Sequence, residues 1–256
     1  MNNIAQAIWV EMLKARRSKM PLFTALGFSL VPLACGFFMI VLKDPELARR
    51  VGLISAKAHM LAGAADWPTF LGLLAQSTIG GIILFGLIAS WVFGREYSDR
   101  TVKDLLALPT SRSAIVLAKF VVVAAWSAAL TVMICLVGLG VGAAVALPPV
   151  SAETFWQGTI TIAVSAGLTI AIITPIAFFA SAGHGYLAPM GVAMLALLLA
   201  QVIAAAGWGE YFPWSIPALY VKGENLGTVS YVIIILTSVA GITGTLIWWE
   251  LADQTH

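Results

Sequence analysis

Six long stretches without a single charged residue or histidine constrain this chain more than any other feature. They cover residues 21–42, 70–93, 120–147, 155–182, 186–206 and 226–249. A helix needs ~20 residues at ~1.5 Å rise each to cross a bilayer, and each stretch is long enough. Inside lipid the backbone must satisfy its own hydrogen bonds, which leaves helices or a closed barrel. The alternating hydrophobicity of barrel strands is missing, so the expected fold is all-α, a polytopic membrane protein with six transmembrane helices. Composition agrees: 60% of the 256 residues are hydrophobic and 10% are charged, against roughly 25% charged in a soluble domain.

The chain reads as one transmembrane domain over 1–256, with three segments set apart. Residues 1–20 form an expected interfacial helix, in which Ile4, Ile8, Met12 and Ala15 share a face beside Trp9. Lys14, Arg16, Arg17 and Lys19 close its end, next to anionic lipid. Residues 94–119 form a cytoplasmic loop, and 207–228 an outer loop. Between the first two spans, Asp44 can cap a helix begun by Pro45, with Leu47, Val51, Ile54, Ala58 and Leu61 on one side. It either lies on the outer surface or packs on the other outer loops. Placing both termini in the cytoplasm puts nine basic residues inside against five outside. Trp67, Trp156, Trp208 and Trp214 then fall at the outer boundary, and Trp91, Trp248 and Trp249 at the inner one, as an aromatic belt.

The spans lack the ionisable ligands that ion-coupled carriers place at membrane depth, and the polar filter of an ion channel. Their polar groups are Gln76, Ser77, Thr78, Ser90, Thr161, Ser165, Thr169, Thr174 and Gln201. The hydroxyls are expected to bond their own helix backbone or a neighbouring helix, with substrate contact as the alternative. Gly138, Gly140 and Gly142, the run Ala163, Gly167 and Ala171, and Gly241 with Thr245 allow close helix approach, and Pro175 is expected to kink the fourth span. No Lys follows a Gly anywhere, so a phosphate-binding loop is absent. His59, His184 and His256 stand apart from one another, Cys35 and Cys135 lie in apolar runs, and no basic stripe suits nucleic acid. The chain is expected to be no enzyme, with no catalytic, metal or cofactor-binding residue.

The most distinctive segment is FGREYSDRTVKDLLALPTSRSAIVLAK, residues 93–119. Thr101 followed by Asp104 looks like a capping box with Asp in place of Glu. A short helix over 102–108 should come next, with Val102, Leu105, Leu106 and Leu108 as its apolar surface and Pro109 as its end. Thr110 or Ser111 can cap the next helix. Lys119 sits where a side chain can snorkel to the interface. A capped helix between two spans is a rigid knob that another protein can grip, so its apolar side chains are expected to need a groove on that partner. The alternatives are that the leucines fold back onto the ends of the chain's own spans, or that the segment is an ordinary solvated loop.

This stretch resembles the first cytoplasmic loop of type-2 ABC exporter permeases. The matching positions are Glu96, Thr101, the pair Leu105 and Leu106, the turn from Pro109 to Arg112, and Lys119. Arg100 stands where that family usually has Gly before the Thr. YFPWSIPAL over 211–219, with Pro213, Trp214 and Pro217, is similar to the family's outer loop that dips back into the outer leaflet.

The resemblance implies a permease of the bacterial plasma membrane, paired with a second copy or a homologous permease over two cytoplasmic ABC ATPase subunits. ATP and Mg would be bound by those subunits. Coupling would run through Glu96, Arg100, Thr101, Val102, Lys103, Leu105, Leu106, Pro109 and Arg112. An uncharged pathway suits export of an amphiphile: a lipid, peptide antibiotic or hydrophobic drug. The rival readings are a non-transport assembly or anchor protein, and an ion-coupled carrier.

Overall fold

Helix is the only regular secondary structure among the described residues, as the demand for internally satisfied backbone in lipid requires. A computed structural model describes residues 2–44, 64–106 and 109–251. The elements are α1 (Asn2–Arg17), α2 (Met20–Lys43), α3 (Trp67–Ser98), α4 (Val102–Leu106), α5 (Arg112–Ala144), α6 (Ala152–Ile172), α7 (Thr174–Ala182), α8 (Leu187–Ala205), a 3-10 turn (Gly209–Tyr211), α9 (Ile216–Val221) and α10 (Thr228–Leu251). Six spans among the described residues are long and apolar enough to cross a membrane: α2, α3, α5, α6 with α7, α8 and α10. The outer helix expected after Asp44 lies outside the described residues.

Local chemistry sets the starts of these helices. Asp66 caps α3 by accepting from the Thr69 N–H at 2.9 Å, with Pro68 in the first turn. Ser111 caps α5 through the Ala114 N–H, and Ser151 caps α6 through the Thr154 N–H. Helix α3 is the axle of the bundle, since α2, α5, α6, α7, α8 and α9 all pack on it. Its Phe70, Ile82, Phe85, Ile88 and Phe93 are consequently buried. Helices α2, α8 and α10 are peripheral and turn Leu22, Leu26, Leu30, Leu198, Val202, Ile235 and Leu236 outward, toward lipid.

The fourth span does more than kink. Helix α6 ends at Ile172, and α7 restarts at Thr174 with Pro175 in its first turn, because proline cannot donate into the preceding turn. Gly241 of α10 lies against this break: a Cβ there would sit 2.5 Å from the Pro175 nitrogen. The Thr174 hydroxyl donates to the Ser238 carbonyl of α10 at 3.2 Å and to Ala171. Ser77, Ser90, Thr161, Ser165 and Thr169 donate to carbonyls of their own helices. Among the small residues, Gly138 faces Leu74 across a tight contact, whereas Gly140 and Gly167 face open space.

Helix α9 is pinned by Ile216, which packs with Ile82 of α3, Ile172 of α6 and Ile234 of α10. Ser215 and Pro217 are buried beside it, and the Ser215 hydroxyl donates to the Ala200 carbonyl at 3.3 Å. Trp214 is half-buried against Phe212. The thiol of a Ser215→Cys variant should therefore react with a water-soluble maleimide at least tenfold more slowly than that of Ala64→Cys, since Ala64 is exposed. Equal rates would show that the segment opens to water.

Candidate coupling site and its ionic core

Glu11 is the one acid among the first twenty residues, and it points inward. The face of α1 that packs on α5 carries Ala7, Glu11 and Ala15 at steps of four. The sequence had suggested Ile4, Ile8, Met12 and Ala15, but Ile4 is exposed and Ile8 and Met12 are only half-buried. The apolar stripe is displaced because a charged group on α1 has partners waiting inside.

Those partners are Glu96, in the last turn of α3, and Lys119, in the third turn of α5. The Lys119 ammonium donates to Glu96 Oε1 at 2.8 Å, to Glu11 Oε2 at 3.1 Å and to the Val92 carbonyl at 2.8 Å. Its three N–H bonds are thus all used, and its side chain has no exposure at all. Lys14 adds a second ammonium, 2.5 Å from Glu11 Oε1 and 3.1 Å from Glu96 Oε1. Burial opposes the charge on Lys14, but the two carboxylates outweigh it and hold its pKa above the ordinary lysine value.

Two acids and two bases close into a neutral tetrad. The expectation that Lys119 snorkels to the interface is therefore overturned. A buried ammonium with two carboxylates in reach keeps them rather than stretching to water. Glu96 is likewise buried rather than available at the surface.

Glu96 also shapes the turn that leads out of α3. Its carbonyl accepts from the Thr101 N–H at 2.9 Å, while the Arg100 N–H bonds the Tyr97 carbonyl at 3.2 Å. This pair of bonds is a Schellman ending, and it requires a left-handed residue between. Arg100 occupies that position with φ +58. The Thr101 carbonyl then accepts from Leu105 N–H and starts α4. Val102 and Leu105 turn inward and are buried, Leu105 within the main core. They had been expected to need a partner's groove; the ends of the protein's own spans supply one. The side chain of Leu106, and residues 107–108 where the helix was expected to finish, lie outside the described residues.

The surface that remains is polar: Asp99, Arg100, Thr101, Lys103 and Asp104 are exposed, as is Pro109. Arg112 is engaged elsewhere. Its guanidinium donates to the carbonyls of Trp249 at 3.0 Å and Glu250 at 3.3 Å, capping the end of α10. Trp249 is fully buried and donates to Ser181 at 2.9 Å, with Tyr97 against its ring. It is a core residue rather than part of the boundary belt, whereas Trp156 and Trp208 are exposed. These contacts gather the ends of α1, α3, α5 and α10 on one side of the bundle.

Residues 7–201 match the family described as ABC-2 family transporter protein. The chain belongs to the ABC-2 transporter family. It is similar to the bacitracin transport permease protein BCRB of Bacillus licheniformis, at 24% identity over 177 residues, covering 68% of this chain and 85% of that protein. The chain is accordingly a membrane-spanning permease subunit of an ABC transporter.

The tetrad and the Arg100 turn can each be tested on this permease. Lys119→Met would leave two buried carboxylates facing Lys14 alone, and should cost ~3–5 kcal/mol of stability. Thermal unfolding in detergent measures the loss, and adding Glu96→Gln to the same protein should recover part of it. Arg100→Gly removes the left-handed penalty and should stabilise the protein by about 1 kcal/mol, read as a higher unfolding temperature. A lower temperature would mean that the Arg100 side chain stabilises the turn by more than its backbone costs.

Proposed function

We propose that this permease exports an amphiphile outward from the bacterial plasma membrane, with both termini in the cytoplasm. It pairs with a second permease copy or a homologous permease, above two cytoplasmic ATPase subunits that bind ATP and Mg. The exposed face of α4 is the observation that carries the coupling role. A five-residue helix is anchored from beneath by Val102 and Leu105 and presents Lys103 and Asp104 outward, with Arg100 exposed in the turn before it. Charged groups on a rigid base suit docking by electrostatic complementarity, in which exposed charges set orientation without the cost of burial. Force applied there reaches α1 and α5 directly, because the turn into α4 hangs on Glu96.

Three features support the substrate class. The spans are apolar, and hydroxyls such as those of Ser90, Ser165 and Thr169 donate to their own helices. The charges of the Glu11–Lys14–Glu96–Lys119 tetrad are paired, and the relative from Bacillus licheniformis is a bacitracin transport permease. An ion-coupled carrier would need an ionisable group open to its coupling ion. Lys119, the most deeply buried charge among the described residues, has all its donors occupied. The segment 207–228 re-enters the outer leaflet and packs Ile216 against Ile82, midway along α3.

The test is a charge reversal, Lys103→Glu with Asp104→Lys. Both side chains are exposed, so insertion and unfolding temperature should hold within about 0.5 kcal/mol. Co-purification of the ATPase should fall about tenfold, equivalent to ~1.4 kcal/mol, and transport-coupled turnover should fall with it. Leu105→Ala is the contrasting control. It should lose ~2–5 kcal/mol of fold stability, as a truncated core leucine does. Unchanged partner binding and turnover in the charge-reversed protein would remove α4 as the docking element.

A further inference from the structure

A cavity of about 510 Å³ opens between the C-terminal half of α1 and the end of α3. Its charged lining is Lys14, Arg17, Arg95 and Asp99, and its aromatic walls are Trp91 and Tyr186. We propose that this cavity binds the phosphate headgroup of an anionic phospholipid in the leaflet on which α1 lies. Such binding is independent of the direction of transport and of the substrate.

The charges decide the sign of the ligand. Three cations line the cavity against one acid. Lys14 is already neutralised by the tetrad behind it, and Arg95 contacts Asp99 through Nε at 3.4 Å, an exposed and long pair. Arg17 is exposed and has no ion-pair partner among the described residues. The cavity is left with a net positive charge. The Arg95 guanidinium lies over the Trp91 ring, 5.0 Å from its centroid, which holds it beside the opening. A planar guanidinium so held, with a second one across the cavity, is suited to phosphate oxygens.

The apolar lining decides that the anion is part of a lipid. Val10 lines the cavity and is also 44% exposed, next to Trp9 at 66%. Leu22, Phe23 and Leu26 at the start of α2 are exposed as well. Apolar side chains this open at the end of a membrane span face acyl chains. A headgroup in the cavity therefore has its tails continuous with the bilayer. The volume lies within the ~300–1,000 Å³ range of ligand sites.

The full-length protein in neutral detergent is titrated with phosphatidylglycerol, phosphatidylcholine or inorganic phosphate, with thermal unfolding and native mass spectrometry as readouts. Phosphatidylglycerol should raise the unfolding temperature and be retained, and the other two should not. Arg17→Gln with Arg95→Gln should weaken the apparent phosphatidylglycerol affinity roughly thirtyfold, from two cations at a membrane surface. If the double variant unfolds, Arg17→Gln alone should weaken it roughly fivefold. Equal effects of the two lipids, or unchanged affinity in the variants, would overturn the site. A shift reproduced by inorganic phosphate would assign it to a soluble anion and overturn the lipid.

Discussion

Two glutamates and two lysines meet where α1, α3 and α5 come together, and one end of the bundle is built around them. Removing an ion from water into a low-dielectric interior costs several kcal/mol, so an isolated charge here would be expelled or neutralised. Four charges of balanced sign, with distances of 2.5–3.1 Å, offset that cost among themselves. The geometry is possible only with the three helices in one arrangement. Glu11 and Lys14 lie three residues apart on α1, and Glu96 and Lys119 face each other across α3 and α5. The tetrad thus fixes a surface helix to two spans in a way that apolar contacts, being non-directional, do not.

Glu96 links this core to the loop above it. Its carboxylate belongs to the tetrad and its carbonyl belongs to the Schellman turn that launches α4. A displacement of α4 is therefore felt by the backbone of a residue whose side chain holds α1 and α5. On the opposite flank the Arg112 cap on α10 and the Trp249–Ser181 bond tie the start of α5 to the last span and to α7. Helix α4 consequently sits on a base braced from both sides.

The opposite end is closed differently. Lys43 donates to the carbonyls of Val145 and Ala146, both at 2.7 Å, and so joins the ends of α2 and α5. Ala146 adopts φ +54 there, in a Schellman ending of the same kind as that at Arg100. Ile216 plugs the space between α3, α6 and α10 without any charge. The contrast has its origin in the sequence: the loop of 207–228 holds Glu210, Lys222 and Glu224 but buries its isoleucine and Pro217.

The number of spans, their helical nature and the position of the short loop helix were all legible in the residues. Uninterrupted apolar length and local caps are properties of consecutive positions. Ser111 could be named as a cap, and Thr101 as the residue before a helix, without knowing any neighbour. Which side of a helix faces inward was not legible where apolar residues surround it. On α1 the stripe was misplaced by one position, and on α4 the leucine that looked like a ligand for another protein proved to be core. Trp249 looked like any boundary tryptophan until Ser181, 68 residues away in sequence, supplied its acceptor. The charges behave in the same way. Sequence placed Glu96 and Lys119 at the ends of two spans, but burial of an ion depends on partners that only folding brings within about 3 Å, and Glu11 lies 108 residues from Lys119. Consecutive residues determined what could enter the membrane; pairing across the bundle decided which charges could enter with it.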